Sequence, residues 1–262
     1  MTDIIIIGGG AAGCMAAVQS ARLGKSVIVF EKNERLGRKL RITGKGRCNV
    51  TNNSPSEEHM KNIPVNPRFM YSSFSLFAPE DTMNFFEELG VPLKTERGNR
   101  VFPVSDKADD IADALAHEMK KLGVKVINKR VSKLIIEDGR CCGVKAGGEE
   151  FRANSVLIAC GGKSYPNTGS TGDGYALAES AGHTITELKP SLVPLTSPDK
   201  YCAEMMGLSL RNVTLTLFDG DKPIYSELGE MLFTHFGITG PLVLSASSHI
   251  RDMQPNRYKA KI

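Results

Sequence analysis

The sequence has no long hydrophobic run, no C-x-x-C and no second copy of the glycine motif near its start. Each absence excludes a class of protein. The apolar stretch Ile4–Ile7 is far too short to span a bilayer, and no basic segment precedes a signal-like core, so the cytoplasm is the expected compartment and no membrane partner is expected. The six cysteines (Cys14, Cys48, Cys141, Cys142, Cys160 and Cys202) lack zinc-ligand spacing, and no metal site is expected. The one close pair, Cys141-Cys142, is vicinal and poorly suited to dithiol redox work, so these thiols read as reduced core or loop residues. A net charge of +4 is mild, and nucleic acid is not an expected partner.

What is present begins at once. Asp3-Ile4-Ile5-Ile6-Ile7 runs into Gly8-Gly9-Gly10-Ala11-Ala12-Gly13, a buried strand followed by G-x-G-x-x-G. In a dinucleotide-binding turn, Gly8 permits the tight bend, Gly10 lets the backbone approach a pyrophosphate, and Gly13 lets the next helix pack against the strand. The helix expected from Cys14 to Leu23 stops at Gly24, and the N–H groups at its start, by Ala11 and Ala12, would face the diphosphate. Ser26–Phe30 is a second apolar strand whose tip carries Glu31, placed to accept hydrogen bonds from a ribose hydroxyl. Strand, helix, strand and acid all fall within about 30 residues, as one βαβ unit requires.

The next stretch helps choose the dinucleotide. Lys32, Arg35, Arg38, Lys39, Arg41, Lys45 and Arg47 crowd together against the single acid Glu34. A nicotinamide enzyme would proceed to its next βαβ unit here. This chain enters a glycine-punctuated loop with Leu40, Thr43, Gly44, Cys48 and Asn49, able to wrap a large cofactor with N–H groups, hydroxyls and amides. A solvated basic loop or a nucleic-acid patch is the competing reading, but no aromatic residue lies between Lys32 and Asn52 to stack on bases. FAD fits best, held by Gly8, Gly10, Ala11, Ala12, Gly13, Glu31, Lys32, Arg38, Lys39, Leu40, Thr43, Gly44, Arg47, Cys48 and Asn49.

The run Gly37-Arg38-Lys39-Leu40, followed by Thr43-Gly44-Lys45-Gly46-Arg47-Cys48-Asn49-Val50-Thr51-Asn52, resembles the signature of the BaiN/YhiN-type flavoproteins. This family is also described as NAD(P)/FAD-dependent or aminoacetone oxidase-like. Further matches follow in the family's order. Val156–Pro166 runs into Thr168-Gly169-Ser170-Thr171-Gly172-Asp173-Gly174, with Cys160 where the family has Thr; then come Pro190–Leu195 and Gly229–Pro241. The resemblance implies an FAD-dependent oxidoreductase acting on a small organic substrate, its flavin reduced by transiently bound NAD(P)H. An amine oxidase, a flavin-binding module without turnover and a tRNA-modifying flavoprotein are the alternatives. It also implies FAD contacts at the Val131 backbone, Ala159, Gly161, Gly162, Asp173 and Gly174, with Cys48 and Cys160 nearby. His235 is the only histidine inside a long match and the candidate catalytic residue; a histidine confined to hydrogen bonding within its own domain is the competing reading.

The organisation expected is α/β: a Rossmann-like FAD-binding domain over 1–190 with an inserted antiparallel meander, then the start of a β-rich substrate domain over 191–262. Helices are expected at Pro79–Leu89, Asp106–Leu122 and Asp173–Ala181, and a hairpin around Gly98-Asn99. Val124–Asn154 reads as the meander and Asn154–Ala159 as the return to the parallel sheet. The family's closing glycine-rich segment is not found after Arg251, so the chain reads as a fragment.

Overall fold

The opening isoleucines form strand β1 (Thr2–Ile7), with Ile5 and Ile6 fully buried. Helix α1 (Ala11–Arg22) follows, then strand β2 (Val27–Phe30), parallel to β1 with Ile5 opposite Ile28. The computed structural model describes residues 1–262. They divide into two units, Met1–Asn62 with Pro67–Thr186, and Ile63–Asn66 with Glu187–Ile262.

The first unit is built on a six-stranded sheet. Its order is Lys125–Ile127, β2, β1, Glu149–Ile158, Arg140–Ala146 and Val131–Glu137. The first four strands are parallel neighbours and the last three form the antiparallel meander. Two boundaries differ from the sequence expectation. Lys125–Ile127 belongs to the parallel edge beside β2, not to the meander. Glu149–Ile158 is one strand doing two jobs: Glu149–Arg152 pairs antiparallel with the meander, and Ala153–Ile158 pairs parallel with β1. Register at a strand's two ends is set by different neighbours, which local alternation does not reveal.

The helix Ala108–Lys121 buries Ile111, Leu115 and Met119, one side at 3.6-residue spacing, and packs on the same core as Val18 of α1. Gly123, at φ 74°, ends it. Helices also form at Pro79–Glu88 and Asp173–Ser180. The hairpin Leu93–Glu96 with Arg100–Pro103 turns through Gly98 and Asn99, both left-handed. The second unit has a five-stranded antiparallel sheet in the order Leu195–Thr196, Gly237–Thr239, Lys222–Thr234, Ser209–Asp219 and Tyr258–Lys261. Its core gathers Leu215, Leu217, Met231 and Phe233 against Val243 and Ala246 of the helix Pro241–Ser247. No helix is long and apolar enough to cross a membrane.

Candidate cofactor-binding site

Each glycine of the opening turn meets a different physical demand. Gly8 adopts φ 109°, and a Cβ there would sit 2.5 Å from the Ala159 carbonyl oxygen. A Cβ at Gly13 would fall onto the Gly8 carbonyl, so this glycine is what lets α1 lie against β1. Gly10 differs from both: a Cβ there meets nothing within 4 Å. No side chain caps α1 and no acid occupies its first turn, leaving its N-terminal N–H groups for another partner.

The open space at Gly10 belongs to a cavity of about 590 Å³ in the first unit. Gly8, Gly10, Ala11 and Ala12 line it, with Glu31 and Lys32 from the end of β2. Arg38, Lys39, Leu40 and Thr43 form a second wall, and Val131, Ala159, Gly161 and Asp173 a third. The structure thus collects fourteen of the predicted cofactor residues around one space.

The remaining seven lie elsewhere, each for a visible reason. Gly13 is the packing glycine just described. Arg47 turns to Glu96 and to Asp106 at 2.6 Å, with its guanidinium 4.1 Å over the Phe102 ring. Cys48 is buried, and Asn49 lies with its amide against the Thr51 and Val101 carbonyls. Gly44 packs on the Asn49 backbone and Phe102; Gly162 faces the Tyr175 hydroxyl; Gly174 fits under Ile158 and Cys160. These residues shape the walls and do not line the cavity.

Asn33, Lys129, Arg130 and Leu177 also line the cavity, and the sequence reading did not single them out. The signal available was proximity, since Asn33 is two residues beyond Glu31 and Lys129-Arg130 adjoin Val131. Asn33 matters because it engages Glu31: its backbone N–H and its side-chain amide both donate to Oε1 at 2.7 Å, while Gly9 N–H donates to Oε2 at 2.7 Å. The acid therefore fixes the glycine turn as well as facing the cavity. Across the space, Lys32 Nζ donates to Asp173 Oδ2 at 2.8 Å and Arg130 Nη2 to Oδ1 at 2.9 Å. Burial opposes ionisation of Asp173, but these two cations hold its carboxyl below the ordinary range.

The charge crowded between Lys32 and Arg47 is largely answered from within the first unit. Arg41 pairs with Asp109 and with Asp113 at 2.5 Å, both on the helix Ala108–Lys121. Lys39 reaches across to the Ser164 carbonyl at 2.7 Å. Cys160 lines the cavity, but burial, with Asp173 nearby, pushes its thiol up to about 11, so it stays protonated at neutral pH. All six cysteines are unpaired. His235 belongs to the second unit, exposed in the turn between Lys222–Thr234 and Gly237–Thr239 and packed edge-on to Phe236 at 5.1 Å.

Comparison with known proteins agrees with this geometry. The family profile described as "HI0933-like protein Rossmann domain" matches residues 2–246. The chain is 34% identical over 252 residues to a protein of Clostridium scindens named 3-dehydro-bile acid delta(4,6)-reductase. It is 34% identical over 254 residues to a Haemophilus influenzae protein named ribosomal RNA dihydrouridine synthase. Each match covers 95% of this chain and 61% of the relative, so the chain spans about three fifths of their length. Among solved structures, a 3-ketosteroid-delta4-(5alpha)-dehydrogenase of Rhodococcus jostii RHA1, crystallised with 4-androstene-3,17-dione, is similar in fold. There the TM-score is 0.55 at 17% identity, over 80% of this chain and 59% of that one.

Proposed function

This chain belongs to the HI0933-like family, and on that premise we propose that it is the FAD-binding part of a cytoplasmic oxidoreductase that reduces a carbon–carbon double bond conjugated to a carbonyl. One observation carries the cofactor reading: the cavity opens at Gly10, the one glycine of the motif with free space before it, at the uncapped start of α1. An anionic diphosphate fits there, because it would receive backbone N–H groups and the positive end of the helix. In this reading Glu31 would accept from a ribose hydroxyl in addition to its bonds from Gly9 and Asn33, and the Val131 backbone would meet the adenine. FAD, when bound, supplies the redox chemistry, and the protein supplies position and electrostatics. The Arg38–Thr43 wall, with Lys39 braced on Ser164, would hold the cofactor's length and screen it from water.

The substrate class rests on the two relatives' names. One is a delta(4,6)-reductase of a 3-dehydro bile acid, the other makes dihydrouridine. A steroid enone and the uracil ring share one feature, a double bond polarised by a neighbouring carbonyl. A small organic enone is the first reading; a uracil base in RNA is the second, favoured by the Haemophilus relative. NAD(P)H is the proposed reductant, bound transiently.

The absorbance spectrum of the purified protein with added FAD tests the cofactor. Anaerobic bleaching by NADH or NADPH then tests the reductant, and turnover on an enone panel and on uridine-containing RNA separates the two substrate readings. A protein that folds and retains no flavin would overturn the proposal.

A further inference from the structure

The second unit holds a cleft of its own, about 530 Å³, beside the turn between Ser209–Asp219 and Lys222–Thr234. Its one acid is already committed. Arg257 donates from Nε and Nη2 to the two oxygens of Asp219, each at 2.7 Å, and from Nη1 to Asp252 at 3.1 Å. Arg257 therefore balances one of these two acids, leaving the cluster with one net negative charge, and its pairing with Asp219 forms part of the cleft wall. Two further cations line the same space outside ion-pair distance of a carboxylate, Lys222 and Arg251, although Lys222, opposite Asp219 in the strand register, acts on that carboxylate through its charge. Arg251 is oriented, because Nη2 donates to the Pro64 carbonyl at 3.3 Å, and the rest of its guanidinium fork remains available. His249 joins them with neither ring nitrogen bonded, its ring 5.2 Å from that of Tyr225. The half-buried ring of Tyr258 adds an aromatic surface.

Uncommitted donors that share a concave space with aromatic and apolar walls describe a site for an anion, since low-dielectric walls focus the field of the cations. A guanidinium fork beside an ammonium suits phosphate in particular. The cleft is larger than a bare phosphate needs and has rings where a base could lie. We propose that Lys222, Arg251 and His249 bind the phosphate of a nucleotide-sized ligand, with Tyr258 against its ring. A nucleotide within an RNA strand and a free nucleotide such as a nicotinamide dinucleotide share this chemistry. The inference concerns the second unit alone and stands whether or not the first unit holds FAD.

Equilibrium binding of a labelled single-stranded RNA dodecamer and of NADP⁺ tests it, at about 50 and about 200 mM salt. The wild-type protein is expected to bind at least one of them, more weakly at higher salt. Lys222→Gln/Arg251→Gln is expected to lose about tenfold or more in that affinity while its far-UV circular dichroism is unchanged. Loss confined to RNA identifies a strand as the ligand; loss confined to NADP⁺ identifies a free nucleotide. The control pair Lys259→Gln/Lys261→Gln removes exposed charge from the neighbouring strand outside the cleft. An equal loss in the control would reduce the effect to diffuse basic charge and overturn the proposal. So would a wild-type protein that binds neither probe at millimolar concentration, or a double variant within twofold of wild type. Should the double variant misfold, Lys222→Gln alone, at an exposed side chain, reads the same effect.

Discussion

At Gly10 an added side chain would meet no protein atom within 4 Å, so Gly10→Val is expected to fold with an unchanged melting temperature and to lose FAD. Gly13→Val should do the reverse kind of damage, because its side chain collides with the Gly8 carbonyl; a loss of roughly 1–3 kcal/mol of stability is expected. Measuring melting and flavin stoichiometry on both variants separates a cofactor site from a packing site. Stoichiometric FAD in a folded Gly10→Val protein would remove the diphosphate from this turn. His235 offers a cleaner experiment than its motif suggested. It is exposed in a turn, so His235→Ala should change stability by no more than about 0.5 kcal/mol, and the half-reaction rates then report chemistry alone. A general acid would cost about a hundredfold or more in one half-reaction; rates within about threefold would remove it from the proposed mechanism. The residues legible in the sequence are those whose roles depend on near neighbours: Gly8, Gly10, Gly13 and Glu31 sit in one local unit. Arg47 reads as a cofactor residue, and Arg41 as one more charge of the basic loop, because their partners, Asp113, Asp109, Glu96 and Asp106, lie far along the chain.

The cavity wall from Arg38 to Asn49 has little regular structure to hold it, with Gly44 and Lys45 both left-handed. Its shape depends on two arginine clasps facing away from the cavity: Arg41 onto the helix Ala108–Lys121, and Arg47 onto the hairpin and Asp106. Asp113→Asn, remote from the cavity, should therefore weaken FAD by about 0.5–1 kcal/mol. It should also speed tryptic cleavage at Lys45. Unchanged flavin affinity and cleavage would show that the wall is held by its backbone contacts. The clasps also set a pH dependence. The Arg41 guanidinium holds Asp113 below its ordinary range, Arg47 does so for Glu96, and Lys94 with Arg47 for Asp106. A carboxylate depressed in the folded state contributes stability above its unfolded value and loses it as pH falls through the folded one. The difference in melting temperature between the wild type and Asp113→Asn should stay constant from pH 8 down to about 4 and shrink only below that. The helix and hairpin on which these acids sit were legible, because each repeats a local pattern. The clasps were not, since they join elements whose adjacency no local pattern encodes.

Every lining residue of the Gly10 cavity lies in the first unit. FAD should accordingly raise hydrogen-exchange protection in residues 1–62 and 67–186 and leave 187–262 unchanged, by up to about 2.7 kcal/mol when FAD is at a hundred times its dissociation constant. Protection that rises equally in both units would place the cofactor differently. The α/β class and the meander were legible from strand patterns and turn residues. Two things were not: the attachment of Ile63–Asn66 to the second unit, and the double pairing of Glu149–Ile158. That strand has a consequence for how the gene tolerates length change. Its far end carries Ala159, whose N–H bonds Ile7 and whose carbonyl lies against Gly8. One codon inserted anywhere between Glu149 and Ile158 would push Ala159 about 3.3 Å along the strand, into a junction with no slack. The Gly147-Gly148 turn just before it should accept the same codon, so an insertion scan would step from tolerance to failure within a few positions of the meander's last hairpin.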